Sequence, residues 1–176
     1  MKAEDRYEEA GALIEKTMAC LARDHGEEHP TSLAARRHRG DLLQLRGLVS
    51  EACDVFRSVR AAQVQSLSPD HPDVLATDCR LGEAMSIRDT AVTDFGEALA
   101  LLRRTAAQQG NVLGGDHPNV LRTLVSCGGA LASIGGPDNI AEARGIFVRC
   151  EALQSDCLDA KHPDVVKTRQ LMAEHS

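Results

Sequence analysis

The 176-residue sequence reads as an all-α solenoid, a stack of antiparallel helix pairs, and three observations carry that reading. A Glu-Ala pair is followed twenty residues later by His-Pro at four places: Glu9-Ala10 to His29-Pro30, Glu51-Ala52 to His71-Pro72, Glu97-Ala98 to His117-Pro118, and Glu142-Ala143 to His162-Pro163. Successive His-Pro pairs stand 42, 46 and 45 residues apart, so all variation in length falls in the other half of the unit. That half must hold a loop that tolerates insertion, whereas the invariant half is a rigid element. Finally, apolar residues recur at three- and four-residue steps, and no stretch alternates as a strand would. A single helix pair cannot bury its own apolar face, so each unit closes a core only by stacking on its neighbours.

Calling A the helix that opens at His-Pro and B the helix that carries Glu-Ala, the predicted order is B, A-B, A-B, A-B, A. Lys2 to Arg23 forms the first B helix, with Ala10, Leu13, Ile14, Thr17 and Leu21 on one face. A polar loop, Asp24 to Glu28, leads to His29-Pro30. Proline at the first helical position sacrifices no hydrogen bond, and it drives the preceding residue out of the helical region. His29, His71, His117 and His162 are therefore expected at N-caps, with Asp73 and Asp164 placing negative charge in the first turn. Thr31 to Arg46 is the next A helix, broken by Gly47, and Leu48 to Ser66 its B helix, striped by Ala52, Val55, Phe56 and Val59. After the turn at Ser68-Pro69-Asp70 come Asp73 to Ile87 and Asp94 to Gln109. A Gly-containing loop, Asn111 to Asp116, precedes Asn119 to Ile134. Gly135-Gly136-Pro137 is a strong break, followed by Ile140 to Cys157 and Asp164 to Glu174. Asp94 with Glu97, and Asn139 with Glu142, have the spacing of capping boxes that restart B helices after the longer connections. The chain divides as one repeat domain, 1–176: a half-repeat 1–28, repeats 29–70, 71–116 and 117–161, and a half-repeat 162–176.

Eleven residues after each His stands a small residue: Gly40, Gly82, Gly128 and Ala173. Close approach of two helices requires this, because a larger side chain would hold the axes apart. The matching small residues on the B helices are Ala10, Ala52, Ala98 and Ala143, and one turn further on come Ile14, Phe56, Leu102 and Phe147. Small opposite small, then large, is one packing joint expected four times. In this order, and in a period of about 42 residues with His-Pro opening the A helix, the chain resembles the tetratricopeptide repeat of the kinesin light chain and nephrocystin type. The resemblance implies a right-handed superhelix whose A helices line a concave groove that binds peptides or protein segments. Repeats of that type carry an Asn pair eight and nine residues after the His. Here those positions are Arg37 and His38, Cys79 and Arg80, Val125 and Ser126, Gln170 and Leu171, so the usual ligands are not implied. Arg39 also replaces an apolar residue where the other repeats have Leu81, Cys127 and Met172. Gly128 and Gly129, adjacent inside a helix, are expected to cost about 1 kcal/mol each relative to Ala and make the third repeat a weak point.

Five residues after each His the groove reads Ala34, Ala76, Arg122 and Lys167, and with Arg37 and Arg80 this makes a loose basic track. Asp41, Glu83 and Ser126 complete the candidate groove set. An extended acidic peptide held by charge-assisted contacts from Arg is one expectation. The alternative is that these are solvated charges on helix faces, near Asp41, Glu83 and Glu174.

Composition excludes several other classes. Hydrophobic residues are 43% but aromatics only 2%, with no Trp, so the core is built from Leu, Val and Ala. A net charge of −6 without clustered Lys and Arg argues against duplex nucleic acid. No apolar run is long enough for a membrane span and the N-terminus is charged, which points to a cytoplasmic protein. Six cysteines form no C-x-x-C pair and are expected as small buried thiols in a reducing compartment. His25-Gly26-Glu27-Glu28-His29 fits H-x-x-E-H, but it contains Gly, abuts Pro30 and supplies no helical turn to aim both imidazoles at zinc. The four His-Pro histidines are each separated by a helix pair. Lys16-Thr17 lacks the glycines of a phosphate loop, and no Ser or Cys has a justified His partner. The expected function is a protein-binding module without catalysis, cofactor or metal. An assembly role is the other expectation. The unpaired first B helix would expose Leu13 and Ile14, and the unpaired last A helix Val165, Val166 and Met172, giving end-to-end homo-oligomers or a place in a longer array.

Overall fold

A computed structural model of the chain describes residues 3–87 and 94–175, and these form eight α-helices with no strand among them. They are α1 (Ala3–His25), α2 (Pro30–Leu45), α3 (Val49–Ser66), α4 (Pro72–Met85), α5 (Phe95–Leu113), α6 (Pro118–Ile134), α7 (Pro137–Cys157) and α8 (Pro163–Glu174). The expected start at Lys2, and 88–93 of the connection between the second A helix and its B helix, lie outside the described residues.

All four A helices begin in one way. The His before each proline is extended, and its Nδ1 accepts the backbone N–H two residues on: Thr31 at 3.3 Å, Asp73 at 3.2 Å, Asn119 at 3.1 Å and Asp164 at 3.3 Å. The imidazole thereby satisfies a donor that a helix start would otherwise leave unpaired. Among the B helices, Asp94 caps α5 as expected, accepting from Glu97 N–H at 2.9 Å. Asn139 does not cap α7. Pro137 is itself a favourable first residue, so the helix begins there with Gly136 (φ 88°) before it, and Asn139 Nδ2 donates back to Gly135 O at 2.8 Å. Three further boundaries move: α1 runs past Arg23 through Asp24 to His25, where Gly26 (φ 92°) turns the chain and shortens the expected loop; α4 ends at Met85 rather than Ile87; and α5 runs through Gly110 to Leu113, where Gly114 (φ 90°) turns the chain out.

The packing joint is present three times, within each A-B pair. A Cβ on Gly40 would lie 2.5 Å from Phe56 Cε1, on Gly82 2.7 Å from Leu102 Cγ, and on Gly128 2.5 Å from Phe147 Cε1. Ala52, Ala98 and Ala143 are fully buried beside these rings and branched chains. The fourth expected copy is divided: Ile14 on α1 is only half-buried and Ala173 on α8 is exposed. A glycine to a large buried side chain sets the spacing of each pair, and every helix packs on the next in sequence. The A helices also approach one another, α2 to α4, α4 to α6 and α6 to α8, while no two B helices come as close among the described residues. The A helices therefore form the inner face of the stack.

At α1, Leu13 is 65% exposed. At α8 the expectation is corrected: Val165 is fully buried, in the register that also buries Val74 and Val120, and Met172 packs against the core. Val166 is the exposed residue there. No helix among the described residues is long and apolar enough to cross a membrane.

Candidate functional site

The inner face is built by register. Residues at matching positions of the A helices fall into rows across the stack: His38, Arg80, Ser126 and Leu171 in one, Asp41, Glu83, Gly129 and Glu174 in the next. These rows interlock. Arg80 Nε lies 3.3 Å from Asp41 Oδ1 on α2, and its Nη1 donates to Glu83 Oε2 at 2.9 Å. Ser126 Oγ on α6 donates to Glu83 Oε1 at 2.7 Å, and Lys167 Nζ on α8 stands 3.7 Å from the same oxygen. His38 Nδ1 closes the other end, 3.3 Å from Asp41 Oδ2. One polar network thus touches all four A helices, with Glu83 at its centre.

The Glu83 side chain is only 9% exposed. Burial, the largest single influence, pushes its carboxyl up, but Lys167, Arg80 and the Ser126 hydroxyl together outweigh it and hold the group below the ordinary glutamate range. For Arg80, burial opposes the charge, and Glu83 and Asp41 more than restore it. Beside this network opens a cavity of about 410 Å³, lined in part by Gln44, Glu83, Ser86, Ser133, Leu171 and Glu174. Its floor on α6 is made of small residues. Ser126, Gly129, Ala130 and Ser133 all line it, and a Cβ on Gly129 would meet nothing within 4 Å. Of the two adjacent glycines, Gly128 therefore serves the joint and Gly129 faces the open groove.

The remaining candidate residues stand apart from this network. Arg37 is half-buried and forms no ion pair among the described residues. Arg122 Nη2 donates to Asn119 Oδ1 at 3.0 Å, and its Nε is buried without a hydrogen-bond partner. Arg80 and Lys167 are engaged by carboxylates of the chain itself. The basic track is thus two cations held in a network and two outside it.

Sequence reasoning missed a buried polar ladder. Thr77 Oγ1 donates to Gln63 Oε1 at 2.8 Å, Thr123 to Gln109 at 2.7 Å and Thr168 to Gln154 at 2.9 Å, each pair joining the end of a B helix to the next A helix. The signal was a Gln fourteen residues before a Thr in three successive repeats, replaced at the first junction by Leu21 and Ala35. Asp78, also buried, is held by Arg60 and Arg104 from the two flanking B helices. Among the cysteines, Cys53, Cys79, Cys127 and Cys150 are buried as expected, but Cys20 and Cys157 are exposed, because they lie on outward faces of α1 and α7. Burial pushes the Cys127 thiol up to about 12 and those of Cys79 and Cys150 to about 11, so these stay protonated. His25 and His29 stack, ring centroids 4.9 Å apart, with His29 Nδ1 committed to the cap.

No family model matches the chain, and no curated protein matches it. Among solved structures it is similar to nearly identical TPR-like repeats from Podosopora anserina described as a kinesin light chain, at 27% identity and a TM-score of 0.70, over 98% of this chain and 78% of that one. A single-substitution variant of those repeats is similar to the same extent, at 26% identity and a TM-score of 0.70. The fold is the all-α tetratricopeptide-type solenoid that the His-Pro register and the small-small-large joint foretell.

Proposed function

The chain is a tetratricopeptide-type repeat protein, and we propose that it acts as a non-catalytic interaction scaffold that holds an extended segment of a partner protein along the inner face of its A helices. The observation that supports this most is the cavity over Gly129: an open lane of about 410 Å³, floored by small residues and flanked by a fixed array of charged groups. Pre-formed clefts with a few positioned polar groups are where solenoids and other scaffolds take ligands. An acidic side chain elsewhere on the segment would find Arg37, which forms no ion pair among the described residues.

Gly129→Arg fills the lane without touching the core, and Ala100→Arg places the same side chain on an exposed position of α5. Proteins retained from a native extract by the wild type and by Ala100→Arg, but not by Gly129→Arg, would support groove binding. Equal retention by all three would refute it. A second reading, an assembly module, is favoured by exposed Leu13 on α1 and Val166 on α8. A sedimentation coefficient that rises with concentration, and ceases to do so in Leu13→Asp or Val166→Asp, would establish that reading.

A further inference from the structure

We infer that Glu83 is the seat for a basic side chain, Lys or Arg, of the bound segment, and that Lys167 is its internal stand-in. The inference rests on the groove reading and specifies which chemistry that groove selects. The backbones of α4 and α8 do not approach each other. α6 packs between them, and Lys167, Glu83, Ser126 and Gly129 line one cavity, whose α6 side carries small side chains or none. The aliphatic stem of Lys167 lies in the lane that a ligand side chain would use.

The carboxylate is fixed while its outermost cation is loose. Arg80 takes Glu83 Oε2 at 2.9 Å and Ser126 takes Oε1 at 2.7 Å, both at hydrogen-bond distance. Each oxygen retains a further acceptor site. Lys167 Nζ, at 3.7 Å, stands beyond hydrogen-bond reach, and its side chain is 52% exposed. A long, mobile ammonium on an exposed stem is readily displaced, whereas the buried carboxylate cannot follow it. Once Lys167 swings out, the cavity presents Glu83 and Glu174 against Arg80, whose charge is shared with Asp41, with His175 also on its lining. A carboxylate entering there meets repulsion, and an ammonium or guanidinium replaces the cation that left. Ser86, Gly129 and Ser133 leave room for the long stem that brings it in.

The test uses two fluorescently labelled short peptides of Gly, Ser and Ala, identical except that one carries Arg where the other carries Gln, titrated into the full chain. The Arg peptide should bind about tenfold more tightly, as one charge-assisted contact provides. Lys167→Ala should tighten the Arg peptide about two- to fivefold by removing a surface-type competitor. It should leave the Gln peptide unchanged, and Lys161→Ala, which removes the same charge from an exposed turn, should change neither. Glu83→Gln should reduce the Arg peptide to the level of the Gln peptide. In amide spectra the Arg peptide should shift Ser126 and Gly129. Weaker or unchanged Arg-peptide binding by Lys167→Ala, equal affinity for both peptides, or binding of neither overturns the inference and leaves the groove itself to the Gly129→Arg comparison. Arg-peptide binding whose shifts fall away from Gly129 overturns both.

Discussion

Gly128 and Gly129 are neighbours in one helix with opposite duties. The Gly128 Cβ position is filled by the Phe147 ring, itself fully buried and without room to withdraw, whereas that of Gly129 opens on the groove. Gly128→Ala should therefore destabilise the fold by about 1–3 kcal/mol through overpacking. Gly129→Ala should stabilise it by about 0.5–1 kcal/mol, because alanine loses less backbone freedom in a helix and meets nothing here. Chemical denaturation of the two variants checks both signs. The role of Gly128 was legible because Gly40 and Gly82 occupy the same register. That of Gly129 was not, since a glycine facing empty space leaves no periodic trace. Likewise the inner-face register of Arg80 and Glu83 was legible from the repeat, but the Lys167 contact was hidden: it joins α8 to α4, whose backbones do not approach each other.

At the level of elements, the A-helix starts were the most legible feature, because His-Pro fixes both the cap and the first turn chemically. The stops were less so. α5 passes Gly110 since its last turns pack on α6, and tertiary contact outweighs the propensity of one glycine. Least legible were the threonine-glutamine pairs, because an isolated Gln or Thr inside an apolar stripe looks like an interruption of it. Each pair buries a side-chain amide between a B helix and the next A helix, where it must be satisfied. Thr123→Ala should cost about 1–3 kcal/mol by leaving Gln109 buried and unpaired. Gln109→Leu combined with Thr123→Ala recreates the Leu21 and Ala35 of the first junction, and should recover much of that loss. A double-mutant cycle by denaturation measures the coupling; additive losses would show that the pair is not a unit.

Across the whole molecule, one network spans the inner face, so its central carboxylate links stability to pH. Glu83 is held below its ordinary value of 4.5 in the folded chain. Its contribution is therefore complete above that ordinary value and is lost as pH falls through the depressed folded value. The thermal midpoint of the wild type should exceed that of Glu83→Gln at neutral pH, and the gap should close on acidification below about 4.5. A gap that persists or widens in acid would contradict the assignment. The same inner face is where the proposed binding is placed. The most direct measurement places a photo-crosslinking residue at Gly129 in one preparation and at Ala100 in another and compares the partner protein covalently captured by each. Capture concentrated at position 129 is the predicted result; capture concentrated at position 100, on the outer helix, would contradict it.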